Sequence, residues 1–419
     1  MIDPAAVTAV TRRISRKNFS HQFGRPNVPL KEKAVWRNVR DLGTRLWLDT
    51  GDIEEAERLW CSDFEALTTN NTLLNKEVQK GIYDELVRET AEAIRGVAPD
   101  IDEQRLVLEI AFVLNAYHAL RLVEEFDAYV SVEVHTDLGH DVERTVAYGK
   151  RYYDICPERF YVKIPFTAAG LLATRELSQL GAPVNFTLGF SARQNYLAAL
   201  FAKPAFVNVF MGRLNVFVVD NGLGDGKNVG EKATLATQRE LLSLRQAKRT
   251  RSLLIGASMR EGGQIPALGG LDVFTMPPKV AAQYEQNPIK GLSRQVEQDP
   301  PVKLGEFARV EDFGIETLWD IPERFRKAVD ELLEQDIETL TPAEICTYFA
   351  HAGYPDFLPD YSEDDILTAT ADGKIPIYGK WRDRLTRGEI GLDALMNLSA
   401  FCSFATDQNA LDTRIRSLL

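Results

Sequence analysis

One lysine lies inside an apolar, β-branched run with the pattern of a buried strand, Tyr161–Pro165 (YVKIP). Burying an ammonium group is costly, and burial favours the neutral amine over the charged form. A neutral amine that faces a carbonyl compound forms a Schiff base, so Lys163 is a candidate covalent catalyst. Taken alone, the segment also fits a strand-end lysine whose head reaches water. The neighbouring strands decide between these two interpretations.

Polar residues fall toward the same end of several other apolar runs. Asp49, Asn70 and Glu133 each end one, and Asn185 and Thr187 lie in the run that follows the lysine segment. Singly, Asp49 is also a candidate N-cap of the next helix, and Asn70 a candidate turn residue. Because the polar residues recur at the same end of five consecutive runs, the pattern favours a shared functional site.

The order of elements along the chain predicts how these residues are brought together. From Arg45 onward, short apolar runs alternate with longer segments of helical period, such as Lys76–Arg95 and Glu103–Phe126, which is typical of repeated βα units. Eight such units predict an α/β fold, a closed (β/α)8 TIM barrel, with an open doubly wound sheet as the alternative. The predicted strands are Leu46–Asp49, Ala66–Asn70, Ala128–Glu133, Phe160–Ile164, Val184–Leu188, Phe206–Phe210, Leu253–Ala257 and Asp272–Met276.

The pattern divides the chain into three regions. Residues 1–44 are a helical or irregular lead-in, residues 45–300 the barrel, and residues 301–419 a C-terminal helical extension that packs on the barrel. Within the extension, Glu323–Gln335 and Pro342–Ala352 are predicted helices. The segment Gly353–Gly379, rich in Pro, Asp and Tyr, is predicted to be a loop, and two or more helices follow it.

Composition limits the kinds of partner. A net charge of −12 over 419 residues argues against a nucleic-acid surface. We see no apolar run approaching the roughly 20 residues that a membrane span needs, so we expect no membrane. Four scattered cysteines without a CxxC pair indicate reduced thiols and a cytoplasmic protein. The alternative is a transit peptide, because the N-terminus is basic and free of acids from Arg12 to Arg25.

Seven short blocks between Leu46 and Tyr284 carry a resemblance to a known family. They are Leu48–Ile53, Thr68–Asn70, the Ser-x-Glu-Val context of Glu133, Val162–Pro165, Asn185–Ser191 with Gln194, Phe210–Arg213 and Gly256–Arg260. In this order they resemble the transaldolase family of Schiff-base-forming (β/α)8 enzymes. Two positions depart from the family pattern: Asn71 stands where the family has a proline, and Asn208 where it has a serine.

The resemblance implies transfer of a dihydroxyacetone unit from a ketose phosphate to an aldose phosphate, without a cofactor. It implies that Lys163 forms the Schiff base and that Asp49 transfers a proton at the cleaved carbon. Glu133 would move protons through a water held by Thr187. The implied substrate-binding residues are Asn70, Asn185, Asn208, Phe210, Arg213 and Arg260, with the two arginines on the phosphate.

Other interpretations remain open at this point. The closest is a fructose-6-phosphate aldolase, but that branch typically has Gln at the position of Glu133 and Tyr at that of Phe210. A transaldolase-like enzyme with another sugar donor, and a catalytically idle barrel used for protein interaction, are further alternatives. Glu133, His135 and His140 suggest a metal only weakly, so we expect none. Sugar phosphates are the expected partners, and the pattern leaves room for a homodimer.

Overall fold

The computed structural model describes residues 3–306 and 308–419 of the chain. Within them, eight parallel strands close into a barrel in which each strand pairs with the next and the last pairs with the first. Every predicted strand is present, with each end within two residues of its predicted position. The strands are β1 (Arg45–Asp49), β2 (Phe64–Thr68), β3 (Tyr129–Glu133), β4 (Phe160–Pro165), β5 (Val184–Thr187), β6 (Phe206–Phe210), β7 (Leu253–Ala257) and β8 (Val273–Met276).

Helices precede, connect and follow the strands. Those up to the end of the barrel are α1 (Pro4–Ser15), α2 (Ala34–Arg40), α3 (Ile53–Leu59), α4 (Asn71–Gln79), α5 (Asp84–Val97), α6 (Glu103–Phe126), α7 (Val142–Ile155), α8 (Ala168–Gln179), α9 (Ala192–Phe201), α10 (Met211–Asp220), α11 (Val229–Gln246), α12 (Gln264–Ala267) and α13 (Pro278–Gln286). Those of the C-terminal extension are α14 (Val310–Phe313), α15 (Glu323–Leu333), α16 (Pro342–His351), α17 (Glu363–Asp372), α18 (Tyr378–Thr386) and α19 (Leu392–Arg416). The fold is therefore the predicted TIM barrel with a C-terminal helical extension.

Aromatic side chains fill the lower part of the barrel interior. The Trp47 ring packs against Tyr161, with ring centroids 5.5 Å apart, and against Phe206, with centroids 4.7 Å apart. Side chains two residues further along a strand point to the same face. On these three strands they are Asp49, Lys163 and Asn208. The aromatic layer is thus the floor beneath a polar layer at the C-terminal mouth.

Helix α6 corrects one expectation from the sequence. Its 24 residues are long and apolar enough to cross a membrane, whereas we expected no such stretch. However, 89% of its most apolar window is buried inside the protein, where α1, α5 and α19 pack against it. The burial explains the composition, because a helix covered on all sides needs no polar face.

One helix prediction and one loop prediction were wrong. The segment Lys76–Arg95 is not one helix, because α4 ends before Gly81, whose φ of +78° suits glycine after a helix end. The predicted loop Gly353–Gly379 contains α17. The N-cap of that helix is Ser362, whose side chain accepts from the Asp365 amide while the Asp365 carboxylate accepts from the Ser362 amide. The sequence contains the residues of this capping box, but the high Pro and Asp content of the segment favoured the loop interpretation.

The C-terminal extension folds back over the barrel. The predicted helices at its start are confirmed as α15 and α16, which pack against α9 and α8 respectively. Its last helix, α19, packs against α4, α6 and the short 3-10 helix Thr136–Leu138 that follows β3. Because α4 and that 3-10 helix both follow the C-terminal ends of strands, α19 lies across the mouth of the barrel.

Candidate active site

Strand register places three predicted site residues side by side. Glu133 on β3 is paired in register with Lys163 on β4, and Lys163 with Asn185 on β5. All three side chains are buried. Since the three strands are parallel and end together, their polar residues form one row at the mouth of the barrel.

Lys163 and Glu133 form a buried charged pair. The lysine Nζ lies 3.5 Å from Glu133 Oε1 and donates a hydrogen bond to the Thr69 carbonyl at 3.2 Å. Burial raises the pKa of the Glu133 carboxyl, against the opposing charge of Lys163 and a hydrogen bond from the Asn71 amide to Oε2 at 3.1 Å. The pair therefore sets the lysine nitrogen beside a carboxyl group that can take up a proton closer to neutral pH than an exposed one.

Asp49 faces this pair from β1. Its Oδ1 accepts a hydrogen bond from the Thr68 hydroxyl at 2.9 Å. Burial raises the pKa of Asp49, and the charge of Lys163 and the Thr68 hydrogen bond oppose that rise. The helix-capping interpretation does not apply, because Asp52 caps α3 by accepting from the Glu55 amide at 3.0 Å. The Asp49 carboxylate therefore caps no helix and faces the interior of the barrel mouth.

The three asparagines differ in how far their polar atoms are engaged. Asn70 does cap α4, since its Oδ1 accepts from the Leu73 amide at 2.8 Å. Asn185 Nδ2 donates to Ser131 Oγ at 2.9 Å, and Asn185 Oδ1 accepts from Asn208 Nδ2 at 2.7 Å. Asn208 therefore orients Asn185, which is a direct structural consequence of asparagine at this position.

Thr187 and Phe210 complete the mouth on β5 and β6. The buried Thr187 hydroxyl has no hydrogen-bond partner among the residues that the structure describes. Buried hydroxyls are nearly always bonded, so this one is available to a ligand. The Phe210 ring packs against Phe190, with ring centroids 5.8 Å apart, and makes this side of the mouth apolar.

Two arginines lie just past β6 and β7. The backbones there are in close contact: a Cβ on Gly212 would lie 2.0 Å from the Ser258 carbonyl oxygen and 2.8 Å from Arg260 Cγ. Burial and the nearby charge of Arg260 lower the pKa of Arg213 to about 10. Neither guanidinium forms a salt bridge within residues 3–306 and 308–419. Two neighbouring cations without a paired acid form a site suited to an anion.

The histidines near Glu133 have other contacts. His135 Nε2 lies 3.2 Å from Asp412 of α19, and the His140 ring packs on Phe401 with centroids 4.9 Å apart. Across the described part of the chain, no group of three or more His, Cys, Asp or Glu side chains is placed to hold a metal ion.

Two further residues at the site were not predicted to act there. Asn71 was noted only as a departure from the family pattern, but its backbone N–H donates a hydrogen bond to the Glu133 carboxylate. The sequence carries a signal for this, because the family's proline has no N–H to donate. Phe404 of α19 lies over the mouth, with its ring centroid 5.7 Å from Lys163 Nζ. No sequence signal indicates Phe404, which is more than 200 residues away along the chain.

The chain is similar to known proteins over its barrel region. The chain matches the family described as Transaldolase/Fructose-6-phosphate aldolase over residues 46–339. It is 30% identical over 252 residues to a protein named Transaldolase from Xanthomonas euvesicatoria pv. vesicatoria, covering 58% of this chain and 76% of that protein. It is 28% identical over 276 residues to a Transaldolase from Rhizobium leguminosarum bv. trifolii, covering 63% and 83%. The family match ends within the extension, before α16.

Proposed function

The chain belongs to the transaldolase/fructose-6-phosphate aldolase family, and on that premise we propose that it is a transaldolase. It transfers a dihydroxyacetone unit from a ketose phosphate, fructose 6-phosphate or sedoheptulose 7-phosphate, to an aldose phosphate. This places it in the pentose phosphate pathway. The observation that carries the proposal is the buried Lys163–Glu133 pair, 3.5 Å apart, in a barrel mouth that also holds Asp49.

The reaction begins at Lys163. Its amine attacks the ketose carbonyl, and Glu133 moves protons, through a water that Thr187 would hold, as the carbinolamine loses water. The iminium ion formed draws electrons from the adjacent carbon–carbon bond. Asp49 takes the proton from the hydroxyl on the cleaved carbon and later returns it to the acceptor aldehyde. The raised pKa of Asp49 suits a group that must both accept and return a proton.

Binding groups surround this centre. Asn70 and Asn185 would hold donor hydroxyls, with Asn208 acting on Asn185. Arg213 and Arg260 would bind the phosphate by charge-assisted hydrogen bonds. The apolar Phe210 ring leaves the intermediate poorly exposed to activated water, which favours transfer over release. All four cysteines are free thiols, which supports a cytoplasmic location.

The covalent step has a direct test. Borohydride reduction in the presence of fructose 6-phosphate should add a three-carbon adduct that peptide mass spectrometry assigns to Lys163. Lys163→Ala is the matched control, and it should form no adduct. An adduct that persists in that variant would show that another amine does the chemistry.

A coupled assay distinguishes the two activities of the family. With fructose 6-phosphate alone, we expect little free dihydroxyacetone and little glyceraldehyde 3-phosphate beyond one turnover. Adding erythrose 4-phosphate should start steady turnover. Steady release of dihydroxyacetone without an acceptor would identify an aldolase instead, and no reaction with either sugar would favour another donor or an idle barrel.

A further inference from the structure

We propose that the C-terminal extension supplies one wall of the substrate site, and that Phe404 shields the intermediate on Lys163 from water. The inference rests on the proposed function and deepens it. Phe404 lies on α19, outside the residues 46–339 that match the family. The wall is therefore formed by a part of the chain that the family match does not cover.

The ring of Phe404 is in contact with both ends of the site. Its centroid lies 5.7 Å from Lys163 Nζ and 5.6 Å from the Arg213 Cζ. It also packs edge-on against the Phe210 ring, with centroids 6.5 Å apart. A sugar phosphate that joins the lysine to the phosphate-binding arginine must run past this ring.

Helix α19 is held in place at several points, so Phe404 is a wall with a defined position. Near its start, Arg193 and Ser191 both donate to Asp393, at 2.8 and 2.6 Å. Near its end, His135 lies 3.2 Å from Asp412. All three of these partners lie in segments that follow barrel strands β3 and β5, so the barrel mouth itself fixes the helix.

A second segment of the extension reaches the same site. The Lys374 carbonyl accepts a hydrogen bond from Arg213 Nη1 at 3.0 Å. Asn221, at the end of α10, donates to the Pro376 carbonyl at 3.0 Å and accepts from the Tyr378 amide at 2.8 Å. The extension therefore orients one phosphate-binding arginine as well as covering the lysine.

The chemistry explains what the wall would do. After cleavage, the three-carbon unit remains on Lys163 as an enamine. Transfer occurs when the enamine carbon attacks an aldehyde and Asp49 gives the new alkoxide its proton. Release occurs when that carbon takes up a proton instead, water adds to the resulting iminium carbon, and the lysine amine departs with dihydroxyacetone free. An aromatic ring beside Lys163 occupies space that this water would need.

The test compares two phenylalanines one turn apart on α19. Phe404→Ala should raise the ratio of released to transferred dihydroxyacetone by about three- to tenfold, the factor expected from loss of one aromatic contact. Phe404→Leu keeps an apolar side chain and should give an intermediate ratio. Phe401→Ala is the matched control, because Phe401 lines a separate cavity of about 630 Å³ between the barrel mouth and the extension. Its ratio should remain that of the parent protein.

The outcomes separate this inference from the proposed function. If the parent protein traps the adduct and transfers the unit, but the ratio is unchanged in Phe404→Ala, the shielding role is wrong and the transaldolase proposal stands. Equal increases in Phe404→Ala and Phe401→Ala would also overturn it, because they would report a loosened helix. If the parent protein neither traps nor transfers, it is the proposed function that fails.

Discussion

Two of the buried clusters of charged side chains differ in how fully they are hydrogen-bonded. The first, which we call the root cluster, lies at the N-terminal end of α19. In it, Asp393 accepts from Ser191 and from two nitrogens of Arg193, which also donates to Asp356 at 2.8 Å. At the barrel mouth, Lys163 makes one hydrogen bond to a carbonyl and lies 3.5 Å from Glu133. The Asp393 carboxylate is saturated with hydrogen bonds, whereas the mouth cluster has capacity left for a ligand.

The two clusters also differ in how their surroundings shift the pKa values of their side chains. Burial alone would lower the pKa of Arg193, but its acidic partners Asp393 and Asp356 outweigh burial and raise that pKa. In the mouth, burial outweighs the neighbouring cation, and the pKa values of Asp49 and Glu133 are raised. Charge that is fully paired serves structure, and charge that is incompletely paired can exchange protons with a substrate. Each prediction below tests this contrast.

The largest effect is expected at Asp49, the carboxylate that we propose transfers the proton. Asp49→Asn removes the base and should lower kcat for dihydroxyacetone transfer by about 10²- to 10⁴-fold. The matched control is Asp52→Asn, three residues further on, because asparagine also caps a helix and activity should stay near that of the parent. Steady-state kinetics of both variants are the measurement. Similar losses in the two would point to a disturbed loop instead of a lost base.

The same Asp49→Asn variant should be more stable than the parent at neutral pH. In the parent protein, the raised pKa of Asp49 means that the folded state disfavours the ionised carboxylate. Protonated Asp49 therefore stabilises the parent protein below the unfolded-state pKa of about 4. That contribution is lost as pH rises through the folded pKa. Thermal unfolding measured against pH should therefore show equal Tm values at low pH and a higher Tm for the variant at neutral pH. A lower Tm throughout would contradict this.

In the root cluster the loss should be one of stability. Asp393→Ala leaves the buried Arg193 short of acceptors and should reduce the free energy of unfolding by about 3–5 kcal/mol. Asp356→Ala is the control: its side chain is 17% exposed and makes one contact to Arg193, so its loss should be smaller. Denaturant unfolding measures both. Equal values would mean that saturation at Asp393 contributes nothing special.

The two arginines that we propose bind the substrate phosphate should give an intermediate effect on activity. Arg213→Ala or Arg260→Ala should lower kcat/KM for fructose 6-phosphate by about ten- to a hundredfold, which corresponds to loss of one charge-assisted contact of about 1.5–3 kcal/mol. Fructose without a phosphate is the control substrate, and its kcat/KM should change little. A variant that weakens both donors equally would rule out the phosphate role for that arginine.

The smallest effect concerns the amide that reaches Glu133. Asn71→Pro removes the N–H donor while suiting the first position of a helix, and Asn71→Ala keeps the donor as its control. Loss of a donor to the charged form raises the pKa of the Glu133 carboxyl. The acid limb of the pH profile of kcat should thus move to higher pH in Asn71→Pro. The shift should correspond to about 1 kcal/mol, the net contribution of one hydrogen bond. An equal shift in Asn71→Ala would assign the effect to the side chain.

The barrel could be predicted because its signals are local. Short apolar runs between helical segments marked the strands, and strands that run parallel must end at the same edge. Lys163 and Glu133 were therefore assigned to one shared site, because both lie at the same end of their apolar runs. The errors were local too: Gly81 ends a helix where periodicity continued it, and the Ser362 capping box begins one inside an apparent loop.

The sequence by itself determined the barrel, the order of its strands and the polar residues at the mouth, because each follows from the spacing of a few residues. Only the tertiary structure decided that α19 crosses this mouth and sets Phe404 beside Lys163. That placement depends on contacts between residues some 200 positions apart, such as Arg193 with Asp393. Helical periodicity predicts that a helix buries a face, but not which surface it meets.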